Sequence, residues 1–293
     1  MNMIEIYLCN DILNNTLNFL PLINIYSIKL LSKHYEEFIE TDFMLENYVH
    51  SKANISLIKK YRKHLKKIIV CNDIYICDNY LIGCNKLEVL DLIFGTNITD
   101  EGLKYIPNIT NLSLYTNKHI TDVGLKYIPN IKNLNLNYNN NITNSGLKYI
   151  SNVRDLNLGS NLITDEGLKY IPNVRGLNLS SNNLITDEGL KYIPNVHSLS
   201  LYNNNNITDK GLKYISNIQY LNMRNNENIT NEGLKYIPYI TNLNLHNCKN
   251  ITNEGLKYIP NIEFLDLYNN KKITSEGLKY IPNIINLCVY YDI

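Results

Sequence analysis

From residue 98 onward two apolar patterns alternate along the chain. The first is a pair of leucines two apart, preceded by an Ile or Val three residues earlier: Ile109-Leu112-Leu114, Ile131-Leu134-Leu136, Val196-Leu199-Leu201. Side chains two apart on an extended chain point the same way, so this pattern predicts a short strand that buries one face and displays the other. The second lies in "ITDEGLKYIPN", which stands at 98–108, 163–173 and 185–195. There Leu103 and Ile106, three apart, predict a single helical turn with its apolar side inward. Thr99 suits the N-cap, and Asp100 and Glu101 stand where a helix start favours negative charge. Pro107 should stop the turn, because the residue before a proline is pushed out of helical geometry. The Asn that follows each strand, such as Asn117, Asn139 or Asn204, is expected inside, where its amide can both donate to and accept from the turn backbone.

The glycine of "GL" recurs at 102, 124, 146, 167, 189, 211, 233, 255 and 277, a spacing of 22 with one interval of 21. These glycines are read as turn residues. Carrying the register backward finds two worn strands, Leu65-Ile68-Val70 and Leu87-Leu90-Leu92, and carrying it forward ends on Ile284-Leu287-Val289, which makes eleven strands. One unit of this size cannot bury its own apolar face, so the copies must stack into a single elongated array. The period and the "IxxLxLxxN" pattern resemble a leucine-rich repeat. "ITDEGL" is similar to the "ITDxGL" signature of the cysteine-containing class found in F-box proteins, with Asn mostly replacing the cysteine and Cys248 retaining it. The expected fold over residues 65–293 is an α/β leucine-rich-repeat solenoid, a curved parallel sheet with short helices on its convex side.

If the copied letters are scaffold, specificity belongs to the variable letters on the displayed strand face. The position between the leucines is small and polar (Ser113, Asn135, Asn157, Asn178, Ser200, Asn222, Asn244, Asp266) and reads as a solvated stripe. The next outward column runs Tyr115, Asn137, Gly159, Ser180, Tyr202, Arg224, His246, Tyr268, Tyr290, with Tyr220 and Phe264 beside it just before the first strand leucine. Aromatic and Arg side chains concentrate binding energy at interfaces, so Tyr202, Tyr220, Arg224, His246, Phe264, Tyr268 and Tyr290 form the expected target-binding set. On the other side, Lys104, Lys126, Lys148 and their successors make a column interleaved with acids, which reads as a solvated face rather than a nucleic-acid track.

Residues 1–50 lack the period. Ile12, Leu13, Leu17 and Leu20, then Ile25, Ile28 and Leu31, then Tyr35, Phe38 and Ile39 follow helical spacing, with Pro21 dividing the first two stretches. The segment "LCNDILNNTLNFLPLINIYSIKLLSKHYEEFI" at 8–39 resembles an F-box. Leu8 matches the leading Leu, Cys9 stands where Pro is usual, Ser32-Lys33 match the basic turn, and Tyr35 replaces Trp. An F-box followed by leucine-rich repeats resembles the substrate-recognition subunits of Skp-cullin-F-box ubiquitin ligases. That resemblance implies an adaptor-binding set of Leu8, Cys9, Ile12, Leu13, Leu17, Leu20, Ile25, Leu31, Lys33 and Tyr35, and a protein target on the concave face. The rival expectation is an interaction scaffold whose N-terminal helices only cap the solenoid. Residues 51–64 join the two parts. The basic run "KKYRKHLKK" at 59–67 reads as the exposed side of a linking helix with Leu57, Ile58, Tyr61 and Leu65 packed inward.

Composition narrows the alternatives. Lys plus Arg (28) nearly balances Asp plus Glu (27), so no global field would hold the chain on a polyanion. The start has no basic n-region and its apolar stretch is broken by Glu5 and Asn10, so it is not read as a secretory signal, and no apolar run reaches membrane-spanning length. Cys71, Cys77 and Cys84 lack metal or redox spacing, and the six histidines form no ligand set; the expectation is reduced thiols, a cytoplasmic or nuclear setting, no cofactor and no catalysis. In that setting the "NIT" triplets at Asn97, Asn141, Asn206, Asn228 and Asn250 are structural rather than glycosylation acceptors. The abundance of Asn, Ile, Lys and Tyr and the near-identity of the copies point to recent duplication in an AT-rich genome, as in a giant amoebal virus or a protist.

Overall fold

The computed structural model describes residues 58–59, 62–63, 65–70, 76–92, 97–159 and 162–289. Eleven strands among them form one parallel sheet whose spatial order is the sequence order. They are β1 (Lys67–Val70), β2 (Val89–Leu92), β3 (Asn111–Leu114), β4 (Asn133–Asn135), β5 (Asp155–Asn157), β6 (Gly176–Asn178), β7 (Ser198–Ser200), β8 (Tyr220–Asn222), β9 (Asn242–Asn244), β10 (Phe264–Asp266) and β11 (Asn286–Cys288). Each pairs in register with the next, so Leu199 lies beside Leu221 and Leu221 beside Leu243. The inward leucines and isoleucines make one continuous core along the array, nearly all of it fully buried. The interval of 21 loses its residue between Leu158 and Ile163, and Leu156 still pairs with Leu177, so the strand ladder runs through it unbroken.

Between strands lie four-residue helices, such as Asp100–Leu103, Asp187–Leu190 and Asn253–Leu256. Thr99 caps as expected, accepting from the Glu101 N–H at 3.2 Å. The helix ends before Pro107, at Leu103. The proline nevertheless limits it: where Ser151 and Ser216 stand in its place, the chain continues into a 3-10 turn, Lys148–Ile150 and Lys213–Ile215.

Two letters of the copied segment do a different job from the one their position suggests. The Asp that opens each helix reaches across to the next repeat. Asp100 Oδ1 accepts from the Thr121 N–H at 2.8 Å and Oδ2 from its hydroxyl at 2.6 Å, and Asp187 binds Thr208 in the same way at 2.8 and 2.6 Å. Asn144 and Asn231 replace the Asp and keep both contacts, their amide nitrogens donating to the threonine hydroxyls. The glycines of "GL" are not turn residues. They lie inside the helices, and a Cβ on Gly124 would come within 2.3 Å of Asp100 Oδ1. Glycine is there to let the neighbour's carboxylate in. The tight turns after β3, β4 and β6 to β10 are made instead by residues with positive φ, Thr116, Tyr138, Ser181, Asn203, Asn225, Asn247 and Asn269. Asn tolerates that conformation better than most L residues. The last four also join amide to amide, Asn225 to Asn203 at 2.8 Å and Asn269 to Asn247 at 2.9 Å.

The interior Asn column behaves as the pattern predicts, except that Asn270 Oδ1 is buried without a hydrogen bond among the described residues. Asn117 Nδ2 donates to the Ile98 carbonyl at 2.9 Å while Oδ1 accepts from the His119 and Ile120 N–H groups at 2.8 and 3.0 Å. Cys248 takes the same place and donates to the Met223 carbonyl at 3.2 Å; burial pushes its thiol up to about 12, which leaves it inert.

Of the linking segment, Ile58 and Leu65 are buried, and the Lys59 ammonium lies 5.1 Å from the Tyr80 ring centre. The expected helical domain at 1–50, Leu57 and Tyr61 fall outside the described residues. At the other end, Ile284 and Leu287 are only half-buried and Ile285 is 73 % exposed, because among the described residues no repeat packs beyond β11.

Candidate binding face

The displayed side of the sheet is a shallow concave trough of about 760 Å³ running from β2 to β8. Asn111, Asn133 and Asn157, then Asn178, Ser198 and Asn222, place amides and hydroxyls along its floor between the strand leucines. Asp91 and Asp155 add carboxylates, and Tyr202 and Tyr220 close the far end. Such a surface offers donors and acceptors side by side, the chemistry that a peptide backbone can meet.

The polar stripe between the leucines has a structural task beyond solvation. Asn178 Oδ1 accepts from the Ser180 N–H at 2.9 Å, Asn222 from Arg224 at 3.1 Å, Asn244 from His246 at 2.9 Å and Asp266 from Tyr268 at 3.0 Å. Each is an Asx turn that closes the strand and sets the backbone of the outward column two residues on. The amide stripe thereby aims the side chains expected to meet a target.

Those side chains do come together. The Arg224 guanidinium lies 5.4 Å from the Tyr202 ring centre, and the His246 and Tyr268 rings stack at 4.6 Å and 17°. Tyr202, Arg224, His246 and Tyr268 thus follow four successive strands, β7 to β10, as one file of planar groups. Tyr220, 43 % exposed, and the half-buried Phe264 stand on the same face, separated by Asn242 of β9. Tyr290 falls outside the described residues, as do all ten residues of the expected adaptor-binding set.

Asp266 belongs to this file and was not singled out by its column. Its Oδ2 accepts from Asn244 Nδ2 at 3.0 Å and lies 3.9 Å from His246 Nδ1. Its signal in the sequence was being the one carboxylate in the stripe from Ser113 onward. A second aromatic contact was also missed, Tyr115 edge-on to Tyr138 at 5.6 Å, because Tyr138 sits at the positive-φ turn rather than in the outward column.

Burial, and then the Arg224 charge, hold His246 below its ordinary value of 6.5, while Asp266 pulls it up. Because the folded value is depressed, the unfolded chain takes up this proton first. The associated stability is present above about pH 6.5 and is lost as pH falls through the folded value. In an NMR titration Arg224→Ala should raise the His246 midpoint and Asp266→Asn should lower it further; unchanged midpoints in both would show that the file does not form.

The convex lysine column is internally occupied. Lys104 holds Glu101 at 2.6 Å and lies 5.2 Å from the Tyr127 ring centre of the next repeat; Lys169 and Lys235 repeat the arrangement with Glu166 and Tyr192, and with Glu232 and Tyr258. Glu101 beside it holds the Lys104 ammonium above its ordinary value. Six of the nine lysines carry such a glutamate, while Lys126, Lys148 and Lys213 lie against tyrosine rings, and a column so interrupted by its own acids is a poor phosphate track. Among the described residues no group of three or more His, Cys, Asp or Glu could hold a metal, and no helix is long and apolar enough to cross a membrane.

A family model described as "Leucine Rich repeat" matches residues 83–106, 127–151, 149–171, 172–193, 194–216 and 214–237. No curated protein matches the sequence. Among solved structures, the chain is similar to one in a crystal structure of the Rad7 and Elc1 complex in yeast, with TM-score 0.56, 12% identity, and 94% of this chain and 90% of that one covered. It is likewise similar to an internalin, InlF, of Listeria monocytogenes, with TM-score 0.57 and 19% identity over 95% and 98% of the two chains. A third is a chain in the Toll–Spatzle complex of Drosophila, at TM-score 0.59 and 16% identity, covering 78% of this chain and 36% of that one. The repeats are leucine-rich repeats, and the array is a leucine-rich-repeat solenoid.

Proposed function

We propose that the chain is a non-catalytic receptor that holds a protein target on its concave face and is docked by residues 1–50 on the Skp-type adaptor of a cullin ubiquitin ligase. The observation that carries the first half is the file Tyr202, Arg224, His246 and Tyr268, fixed by Asx turns at the end of an open trough. Rigid aromatic and Arg side chains lose little freedom on binding and dominate interface energetics. The second half rests on the F-box resemblance of residues 8–39 and its order before the repeats. The structural likeness to a chain crystallised in the Rad7 and Elc1 complex is in keeping with it. In this reading the protein contributes proximity, holding a target beside a ubiquitin-charged enzyme brought by the ligase.

A second reading, in which the N-terminal helices only cap the array, draws on the burial of Ile58 and Leu65 at the first strand. Binding of the full chain to a purified Skp-type adaptor separates the two. The ligase reading expects binding that Leu13→Asp weakens at least ~10-fold, as loss of a buried interface anchor does. A folded full chain that does not bind the adaptor leaves the capped scaffold.

A further inference from the structure

The residue just before each strand forms a column of its own, at the margin of the trough. Across β4 to β7 it reads Lys132, Arg154, Arg175, His197. Their backbones are linked strand to strand, the Arg154 N–H donating to the Lys132 carbonyl at 2.8 Å, Arg175 to Arg154 at 2.7 Å and His197 to Arg175 at 2.8 Å. Arg154, Arg175 and His197 are exposed and Lys132 half-buried. Among the described residues neither Lys132 nor the two arginines has a carboxylate partner, unlike the convex Lys104, Lys169 and Lys235, each bound by its own Glu. Three adjacent cations are therefore left unneutralised on one edge of the trough. The same column carries Thr110 before the cluster, Gln219 and Thr241 after it, and Glu88 and Glu263 beyond them, so the positive stretch is bounded at both ends.

We infer that the edge formed by Lys132, Arg154 and Arg175 binds an extended acidic segment of a partner protein, laid across the strands along the trough. The inference rests on the reading of the concave face as a protein-binding surface and specifies the partner's chemistry. Strands about 4.8 Å apart put Lys132 and Arg175 about 10 Å apart along the array, and a peptide in the extended polyproline II form, rising about 3.1 Å per residue with about three residues per turn, covers that distance in one turn and returns its side chains to the same side. Acidic side chains three apart therefore meet the two outer cations, and Arg154 is free to engage what lies between. On the trough side, Gly176 and Ser198 follow Arg175 and His197 directly and offer little side chain to obstruct a backbone, while Asn157 can pair with its amides.

The occupant is a short acidic peptide rather than a nucleic acid. A nucleic-acid backbone is held firmly by roughly 6 to 10 phosphate contacts, more than this cluster can supply. Asp155, which directly follows Arg154, disfavours an acidic side chain at the centre of the cluster, and Asp91 on the adjoining floor, with Glu88 and Glu263 beyond the ends, repels an anion that extends past it.

The test uses the full chain and fluorescence anisotropy with three labelled probes: an oligoglutamate peptide, an oligolysine peptide and a single-stranded oligodeoxynucleotide. Oligoglutamate should bind, more weakly as salt rises, and Arg154→Thr with Arg175→Thr should weaken it at least ~10-fold. Thr already stands in this column at 110 and 241, so the double variant keeps a residue that the fold accommodates, and an unchanged thermal midpoint verifies it. Lys210→Glu alters net charge by the same amount on the convex side and restores the Glu found there in other repeats, such as Glu188; it should leave binding unchanged. Equal weakening by both variants, no binding of oligoglutamate, or oligonucleotide binding that the double variant abolishes would each overturn the inference. The adaptor measurement with Leu13→Asp involves neither arginine. Adaptor binding without peptide binding removes this inference alone, and peptide binding without adaptor binding removes the ligase reading alone.

Discussion

Gly189→Ala should destabilise the protein by about 3 kcal/mol, although helix propensity alone would stabilise it by about 1 kcal/mol. Gly189 lies within the helix Asp187–Leu190, and the added Cβ would stand 2.2 Å from Asp165 Oδ1 and 2.9 Å from its Cγ. The carboxylate cannot yield without leaving the Thr186 N–H, at 2.9 Å, and the Thr186 hydroxyl, at 2.6 Å. Both are hydrogen bonds to a charged group, each contributing about 1.5 to 3 kcal/mol. Thr186 is also the N-cap, accepting from the Glu188 N–H at 3.2 Å, so the disturbance reaches the helix start. The sign of the effect is thus the discriminating result. Urea midpoints with amide exchange at Thr186 would record it. A double-mutant cycle with Asp165→Ala completes the argument: once the carboxylate is gone, the second substitution should become neutral or stabilising. If Gly189→Ala alone raises the midpoint, the Asp-to-Thr ladder does not hold the convex side together.

Asn204→Ala should cost about 2 to 4 kcal/mol, and Asn204→Cys distinctly less. Asn204 is fully buried; Nδ2 donates to the Asn182 carbonyl at 2.7 Å and Oδ1 accepts from the Asn206 N–H at 3.0 Å. Alanine removes both partners from a turn shut off from water, and an unpaired buried polar group costs about 1 to 3 kcal/mol. Cysteine leaves a thiol that can donate, as Cys248 does to the Met223 carbonyl at 3.2 Å in the corresponding place two repeats on. Urea midpoints for both variants decide it. Equal losses would mean that the column matters by its volume and not by its hydrogen bonds.

Much of the scaffold was legible because its signals are local and repeated. Leucines two apart marked each strand, Thr99 and its successors marked the helix starts, and the Asn after each strand had a single buried role to fill. The glycines were misread because their reason is not local. Nothing within one repeat requires Gly124; the requirement is set by Asp100 in the repeat before, and a turn was the nearest explanation that one repeat could offer. The helix-opening acids were likewise assigned to the helix dipole, where their distances assign them to a threonine 21 residues on. The candidate face divides in the same way. Its outward column could be read in register, which brought Tyr202, Arg224, His246 and Tyr268 into view, whereas Asp266 lies in a stripe that reads as uniform because seven of its eight positions are Ser or Asn.

The sequence by itself determined the repeat, its period, the number of strands and which side of each strand is buried. Each follows from side-chain alternation over a few residues, multiplied by copying. Only the tertiary structure decided why Gly must follow Asp, what the amide stripe does and where charge is left unpaired at the trough margin. Those are contacts between neighbouring repeats, and their physical reason is the strand spacing of about 4.8 Å, which sets residues some 22 positions apart in the chain within reach of one another.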